Sequence, residues 1–253
     1  LFIDIHGIQW FGSTGCGIIK HDPQKKRFRI YSIYIKDLIH SLTPYEIKPI
    51  SPQLYLPPSL NRISLGKDNK YWILKTTDES NCESFLYSFD IMTGKIEAYE
   101  KFLSHNIGYT IYNDDADRLW YCYKNKAKTN CIGRINKEDG TMAAVYEIPA
   151  SISSNEQYVS QIFMDSQSIL WLATINGLYS FDEKNLKWNH WKNIPNDKKS
   201  ISANGVLSIC PDPKSPEKYL WLGIEGAGFN RFEKSTGNCI NYNETDGLPN
   251  NVA

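Results

Sequence analysis

Several features that would point to a common function are missing from this sequence. Lysine plus arginine and aspartate plus glutamate both number 28, so the formal net charge is zero. That balance excludes the basic surface of a general nucleic-acid or polyanion binder. No apolar run reaches the roughly 18 residues that a membrane-spanning helix needs. Because a starting methionine and a signal stretch are also missing, we expect an excised piece whose targeting signal or anchor lies outside it.

Sequence motifs for catalysis, cofactors and metals are missing too. The chain has no G-x-S-x-G, no P-loop and no dinucleotide fingerprint, and its five histidines are scattered. Its six cysteines form no CxxC, so we expect no metal, no cofactor and no catalytic residues. Cys122 and Cys131 can flank one hairpin and pair across it. Buried free thiols are the favoured alternative.

What the sequence has in abundance is aromatic residues, and they form a repeat. Aromatics make up 13% of the chain. Five tryptophans recur at intervals of about 50 residues, which indicates a repeat array. An aspartate lies six positions before three of them, and a polar turn-opening residue and a terminal aromatic follow each. The repeat tryptophans are Trp10, Trp72, Trp120, Trp171 and Trp221.

Each repeat unit is predicted to be a four-stranded sheet. In the fourth unit, runs 159–165, 170–174, 177–182 and 187–191 are rich in β-branched and aromatic residues and are separated by turn residues. Such units cannot bury both faces alone, so we predict an all-β fold, a β-propeller of four-stranded antiparallel blades. The five visible blades of one domain, 1–253, are predicted at 1–31, 60–99, 108–146, 158–191 and 205–242.

The recurrent residues are predicted to have structural roles. A tryptophan in the second strand can fill the wedge between neighbouring blades, where a large flat side chain buries the most area. Aspartate at the turn between the first two strands can hydrogen-bond its own backbone. Gly17, Gly177 and Gly228 precede the third strand at a turn, where glycine tolerates positive φ.

Segments that depart from the repeat are candidates for ligand or partner binding. The second and third units carry longer connections between their second and third strands, at 75–83 and 124–130. Loops on a rigid scaffold are a usual home for binding residues, and solvated loop extensions are the simpler alternative. The proline-rich stretch 32–59 excludes a long helix or a central strand. We expect it to be an ordered excursion over one face.

Several segments resemble the two-component-regulator propeller repeat, and together they cover essentially the whole chain. Units one, four and five match strongly, whereas units two and three keep Trp72 and Trp120 but lack the small-residue run and the Gly-Leu pair. The segments that carry the resemblance are 8–14, 170–182, 202–209, 220–232 and 246–252.

That repeat is typical of the periplasmic sensor region of hybrid two-component system histidine kinase/response regulators in Bacteroidetes-like bacteria. Propellers of that family usually have seven blades, so the resemblance implies that this chain is part of a larger ring. Five blades that stand alone or associate are the alternative. The resemblance also implies a periplasmic sensor of carbohydrate breakdown products that controls polysaccharide-utilisation genes. No kinase motif lies in this chain, so we expect it not to be an enzyme. The membrane is reached only through segments outside it.

Three functional hypotheses stay open. The leading one is a module that binds an oligosaccharide or relays its binding. Its candidate ligand-binding residues are Trp188, His190 and Trp191, because sugar rings stack on aromatics. The second is a propeller lyase or glycosidase, which needs a convergent cluster of carboxylates or histidines. The third is a protein-interaction scaffold that uses the long loops of units two and three.

An incomplete ring exposes blade edges, so a homodimer is also expected.

Overall fold

The computed structural model describes residues 2–3, 9–13, 17–22, 27–31, 63–67, 70–76, 84–90, 93, 95–99, 107–149 and 159–246. The chain divides into two compact units, Leu1–Leu60 and Asn61–Ala253. The predicted excursion 32–59 lies outside the described residues, as do loop residues 77–83 and the side chain of Trp10. Within the described part of the chain, no helix is long and apolar enough to cross a membrane.

The first unit contains one four-stranded antiparallel sheet in the order β1-β2-β3-β4, which we call blade one. The first two strands pair in a register that places Phe2 opposite Trp10, and the third and fourth pair Ile18 with Tyr31. Each strand is therefore hydrogen-bonded to the next along the chain. The strands are β1 (Phe2–Ile3), β2 (Gln9–Ser13), β3 (Gly17–Asp22) and β4 (Arg27–Tyr31).

The second unit contains four more sheets of the same kind, blades two to five, each with its strands in chain order. The predicted all-β fold of four-stranded antiparallel blades is thereby confirmed. The strands, four to a blade, are β5 (Ile63–Leu65), β6 (Lys70–Thr76), β7 (Ser84–Asp90), β8 (Ile96–Tyr99), β9 (Ile107–Asn113), β10 (Leu119–Lys124), β11 (Asn130–Ile135), β12 (Met142–Glu147), β13 (Val159–Met164), β14 (Ile169–Thr174), β15 (Gly177–Asp182), β16 (Lys187–Trp191), β17 (Val206–Pro211), β18 (Tyr219–Ile224), β19 (Gly228–Glu233) and β20 (Cys239–Tyr242).

Burial changes from strand to strand across a blade. The second strand of blade three, β10, is buried along nearly its whole length, because both of its faces are covered. The last strand, β12, alternates between half-buried and exposed residues, as expected at the outer edge of a blade. Nearly continuous apolar runs therefore mark the second strands, and alternating runs mark the last ones.

The repeat tryptophans lie between neighbouring blades of the second unit. Trp72, Trp120 and Trp171 are at most 3% exposed, and each packs in a cluster with residues of the following blade. Trp221 of blade five is only half-buried, since no later blade is present among the described residues of this unit. The large indole rings thus fill the wedges that open between radially stacked sheets.

In blades three, four and five, an aspartate holds the tryptophan in place through its two carboxylate oxygens. In blade three, Oδ1 of Asp114 accepts hydrogen bonds from the backbone N–H groups of Ala116 (3.0 Å) and Arg118 (2.8 Å). Its Oδ2 accepts from the indole Nε1–H of Trp120 at 2.9 Å. The predicted contact to the turn backbone is present. The contact to the tryptophan fixes the indole as well.

The same arrangement recurs in blades four and five. Asp165 accepts the indole N–H of Trp171 at 2.8 Å, and Asp212 accepts that of Trp221 at 3.1 Å. Both also accept two backbone N–H groups of their own turns. In blade two Gly66 takes this place, and a Cβ there would meet the indole of Trp72.

Each buried aspartate is also paired with one cation, but the cation comes from a different place in each blade. Asp114 pairs with Arg118 of its own turn, Nε to Oδ2, at 2.7 Å. Asp212 pairs with Arg231 of the third strand of its own blade at 2.8 Å. Asp165 pairs with a residue of the following blade, Lys234, whose Nζ lies 2.8 Å away. The Arg231 guanidinium lowers the pKa of Asp212.

Further polar contacts join the first strands of blades four and five. The side-chain amide of Gln161 donates to the carbonyl of Ile209 at 3.1 Å and accepts the N–H of the same residue at 2.8 Å. The hydroxyl of Ser160 donates to the carbonyl of Val206 at 2.8 Å. These bonds satisfy backbone groups at the inner edge of the blades and fix one strand against the next.

Two glycine predictions are confirmed. Gly177 and Gly228 begin the third strands of blades four and five with φ of 117° and 74°. A Cβ at either position would meet the backbone oxygen of Trp191 or Tyr242, respectively. Glycine is required here both for the backbone conformation and for the close approach of the fourth strand.

The alternative disulfide between Cys122 and Cys131 does not form. Cys122 lies opposite Ile132, and Cys131 lies opposite Tyr123, so the two side chains point to opposite faces of the same sheet. Cys122 belongs to the cluster between blades three and four, and Cys131 to the cluster between blades two and three. Both are free thiols. Burial raises the pKa of each thiol.

Replacing Lys234 with methionine tests the ion pair that joins blades four and five. Lys234 is 7% exposed and Asp165 is 1% exposed. The substitution leaves a buried carboxylate without its cation, so we expect the free energy of unfolding to fall by about 3 kcal/mol. Chemical denaturation of the purified chain measures it.

Lys218→Met is the matched control for this prediction. Lys218 is 55% exposed and lies 3.5 Å from Glu233, so solvent screens the pair and we expect a much smaller loss. Equal losses for the two lysines would show that the buried pair does not stabilise the blade seam.

Candidate ligand-binding groove

An open groove lies at the seam between blades three and four. Its volume is about 420 Å³, which is within the range of small-molecule sites. The turn before β10 and the strand β11 form one wall, and the turn before β14 and the end of β15 form the other. The lining residues are Arg118, Arg134, Gln167, Ser168, Ile169, Asp182, Glu183 and Lys184.

Two arginines of blade three are held over the buried tryptophan of that blade. Arg134 on β11 lies directly opposite Trp120 on β10, and Arg118 precedes β10 by one position. Their guanidinium carbons are 5.8 Å and 5.6 Å from the centroid of the Trp120 ring. These distances are within the range of cation–π interactions, so the ring helps to position both arginines at the groove.

Glu183 of blade four reaches across the groove to these arginines. Its Oε1 lies 3.0 Å from Nε of Arg134, and its Oε2 lies 3.6 Å from an Nη of Arg118. The hydroxyl of Tyr146 donates to Glu183 at 2.7 Å. Burial and then the bond to Glu183 raise the pKa of Tyr146. Charged side chains of two blades therefore meet at one place.

Glu183 occupies a position that carries a lysine in the neighbouring blades. The residue directly after the third-strand turn opener is Lys137 in blade three, Glu183 in blade four and Lys234 in blade five. Lys137 lies 5.4 Å above the ring of Trp72, and Lys234 lies 6.0 Å from that of Trp171. The charge is inverted only at the seam between blades three and four, among the described seams.

A second groove of about 390 Å³ adjoins the first and shares Arg118 and Arg134 with it. Its other wall includes Asp117 and Lys137, which form an ion pair at 2.5 Å. Guanidinium, ammonium, amide and hydroxyl groups that line the two grooves can donate hydrogen bonds to the oxygens of a polar ligand. Among the described residues, no group of three or more histidine, cysteine, aspartate or glutamate side chains is arranged to hold a metal ion.

The three predicted ligand-binding residues lie on β16, the outer strand of blade four. Trp188 stacks on Phe181 with ring centroids 4.4 Å apart. His190 stacks on Tyr179 at 3.9 Å, and its Nε2 lies 2.8 Å from the carbonyl oxygen of Asn176. All three side chains are half-buried, so neighbouring side chains already cover much of each ring.

Trp191 lies on the opposite face of the same sheet. It stacks on Trp171 at 5.5 Å and meets Phe232 edge-on, in the cluster between blades four and five. Trp188 packs against the cluster between blades three and four, on the side where the groove lies. The predicted residues therefore do not converge on one site. Their role in ligand binding stays a prediction.

The longer connection predicted in the third unit is present. Residues 125–129 join β10 to β11, whereas Ile175 and Asn176 alone join β14 to β15. The loop closes on itself, because the N–H and the side-chain oxygen of Asn125 bond to the backbone of Thr129, both at 2.9 Å. It is a tight turn and not a long mobile extension.

Sequence reasoning missed the groove residues. For Asp114, which lies beneath the groove residue Arg118, the sequence predicts only the bond to its own turn, but its side chain is 1% exposed and is also bonded to Arg118 and Trp120. The spacing of six residues between aspartate and tryptophan carried the signal for this contact. The glutamate at a position that is lysine in two neighbouring repeats is the sequence signal for the groove.

Replacing His190 with glutamine tests how this side chain is packed. Burial is the main cause that lowers the pKa of His190, and Lys192 adds to it. The unfolded chain therefore binds the proton first, and stability is lost as the pH falls below about 6.5. We expect the wild type to lose more stability than His190→Gln between about pH 7.5 and about pH 5.5 in chemical denaturation. Equal losses of stability in the wild type and in His190→Gln would contradict the burial of the His190 ring against Tyr179.

Comparison with known proteins adds no family by sequence. No family model matches the chain, and no curated protein matches it. Solved structures do match. The extracellular domain assigned to a hybrid two-component system of B. thetaiotaomicron is 17% identical with a TM-score of 0.58, and the match covers 98% of this chain and 29% of that one.

Two other structures match with similar scores. A streptogramin B lyase is 17% identical with a TM-score of 0.51, over 74% of this chain and 54% of the lyase. A protein of unknown function from Bacteroides caccae is 10% identical with a TM-score of 0.55, over 92% of this chain and 70% of that one. The chain thus spans less than two thirds of the first two structures. The likeness confirms the predicted propeller-repeat resemblance at the level of fold, so the chain has a β-propeller fold.

Proposed function

We propose that the chain is a sensory propeller module of an extracytoplasmic signalling protein. In this proposal it binds a carbohydrate, or relays its binding, to regulate polysaccharide-utilisation genes. The observation that carries the proposal is the match of 98% of the chain to the extracellular domain of a two-component system. The resemblance of the repeats to that class of sensor supports the proposal from the amino-acid sequence alone.

The groove between blades three and four supports a binding role. It is open to solvent, and its walls come from two rigid sheets whose relative position is fixed by buried side chains. Its polar lining suits a ligand rich in hydroxyl groups, because arginine, lysine, glutamine and serine all donate hydrogen bonds. In this proposal the chain lies in the periplasm, and the membrane segment and the kinase belong to parts of the protein outside it.

A propeller lyase is the second candidate, because a streptogramin B lyase shares the fold. Asp114, Asp165 and Asp212, which recur at the blade seams, are all bound to indole and backbone N–H groups and to a cation. These contacts give them a structural role. Turnover of streptogramin B or of a panel of glycans by the purified chain would favour the lyase, and binding without turnover favours the sensor.

Substitution of the two tryptophans on β16 locates the ligand. Trp188 packs at the seam that carries the groove and Trp191 packs at the next seam, so Trp188→Leu and Trp191→Leu form a matched pair. We expect a glycan that binds in the groove to raise the Tm of the Trp191 variant as it does the wild type. We expect a smaller shift for the Trp188 variant.

Each shift is measured by differential scanning calorimetry against the unliganded baseline of the same variant, so a lower starting stability does not mimic lost binding. A glycan whose shift depends on Trp191 and not on Trp188 would place the ligand at the other seam. If no glycan in a broad panel shifts the Tm and a protein partner is captured instead, the interaction-scaffold alternative replaces the sensor.

A further inference from the structure

We propose that the groove between blades three and four binds an anionic group, a carboxylate or sulfate of the kind that acidic sugars carry. Arg134 and Arg118 are the residues that hold it, in competition with Glu183. The inference deepens the proposed function, on which it rests, by naming the chemical class of the ligand.

The first argument is that Arg134 is not needed by a buried aspartate. Arg134 lies opposite Trp120 in the sheet register, as Arg231 lies opposite Trp221 in blade five. Arg231 uses this position to pair with the buried aspartate of its blade. In blade three Arg118 already does so at 2.7 Å. Blade three therefore holds one arginine more than its buried aspartate requires.

The second argument is that Nε of Arg134 lacks a hydrogen-bond acceptor, although Glu183 and Tyr146 both interact with the guanidinium. Nε of Arg134 lies 3.0 Å from Glu183 Oε1 but is not aimed at it. Among the described residues, this buried atom finds no hydrogen-bond acceptor. An unsatisfied guanidinium N–H is costly, and a carboxylate or sulfate aligned with the planar guanidinium would relieve that cost. The Arg134 side chain is 34% exposed through its other atoms, so a ligand can reach the guanidinium, and it reaches the buried Nε once Glu183 has moved.

The third argument is that the Glu183 carboxylate can be displaced from the arginines without becoming a buried, unpaired charge. It accepts a hydrogen bond from the Tyr146 hydroxyl at 2.7 Å, and its side chain is 20% exposed. In the structure it occupies the place that we assign to the ligand carboxylate. A ligand anion would take over the arginines, and Glu183 would turn toward solvent, because the oxygen that accepts from Tyr146 is the same Oε1 that lies against Arg134.

The surroundings of the arginines fit an anionic sugar. Lys184 adds a third cation to the groove, against the two carboxylates Asp182 and Glu183. Asp182 is already bound by Asn185, whose side-chain N–H lies 2.7 Å from it. Gln167 and Ser168 on the opposite wall supply neutral polar groups for hydroxyls. When Glu183 is displaced, Arg118, Arg134 and Lys184 face only one carboxylate of the groove, Asp182.

The test compares three probes by isothermal titration calorimetry: digalacturonate, its neutral counterpart galactobiose, and inorganic sulfate. The proteins are the wild type, Arg134→Met, Glu183→Gln and the control Lys218→Met. Lys218 is an exposed cation of blade five, away from the groove. Far-UV circular dichroism and a thermal melt establish that each variant is folded before titration.

We expect digalacturonate to bind the wild type at least about tenfold more tightly than galactobiose, which is about 1.4 kcal/mol. Arg134→Met should weaken digalacturonate at least tenfold, and Lys218→Met should not. Glu183→Gln should strengthen it, because the internal competitor is gone. Sulfate that shows the same dependence on Arg134 and Glu183 also supports the proposal and indicates a general oxyanion site.

Three outcomes overturn the proposal. Galactobiose that binds as well as digalacturonate, with no effect of Arg134→Met, leaves the carbohydrate sensor standing and removes the anion site. Digalacturonate that is weakened by Glu183→Gln shows that Glu183 is a ligand contact and not a competitor. Absence of binding by all three probes, to the wild type and to Glu183→Gln alike, removes the anion site without contradicting a neutral glycan found in the broader panel.

Discussion

A buried carboxylate needs enough donors, and that requirement organises the blade seams. Asp114, Asp165 and Asp212 each accept two backbone N–H groups, one indole N–H and one cation. The backbone bonds set the turn between the first two strands. The indole bond orients the tryptophan that fills the wedge to the next blade, and the cation offsets the cost of burying the charge.

The cation is the variable part of this arrangement, and its variation generates the candidate site. Blade four takes Lys234 from its neighbour, and blade five takes Arg231 from its own third strand. In blade three both Arg118 and Arg134 lie near the seam, and Arg118 pairs with the buried aspartate. The second arginine faces a glutamate where neighbouring blades have lysine. A repeat that is otherwise structural thus acquires a polar groove at one seam.

Much of the fold could be predicted from the sequence, whereas little of the site could. The tryptophan spacing and the short β-rich runs identify four-stranded blades, because both are local patterns. Pairs such as Lys234 with Asp165, 69 residues apart, depend on how blades stack, and no local pattern encodes them. Strand periodicity could have separated Trp188 from Trp191, since residues three apart on a strand face opposite sides.

The central claim is that Arg118, and not Arg134, neutralises the buried Asp114 of blade three. The unfolding free energies of Arg118→Met and Arg134→Met test it most directly. Arg118→Met removes the cation of Asp114, which is 1% exposed, and should cost about 3 kcal/mol. Arg134→Met leaves Asp114 paired and should cost less than about 1 kcal/mol. Equal costs, or a greater cost for Arg134, would contradict the account.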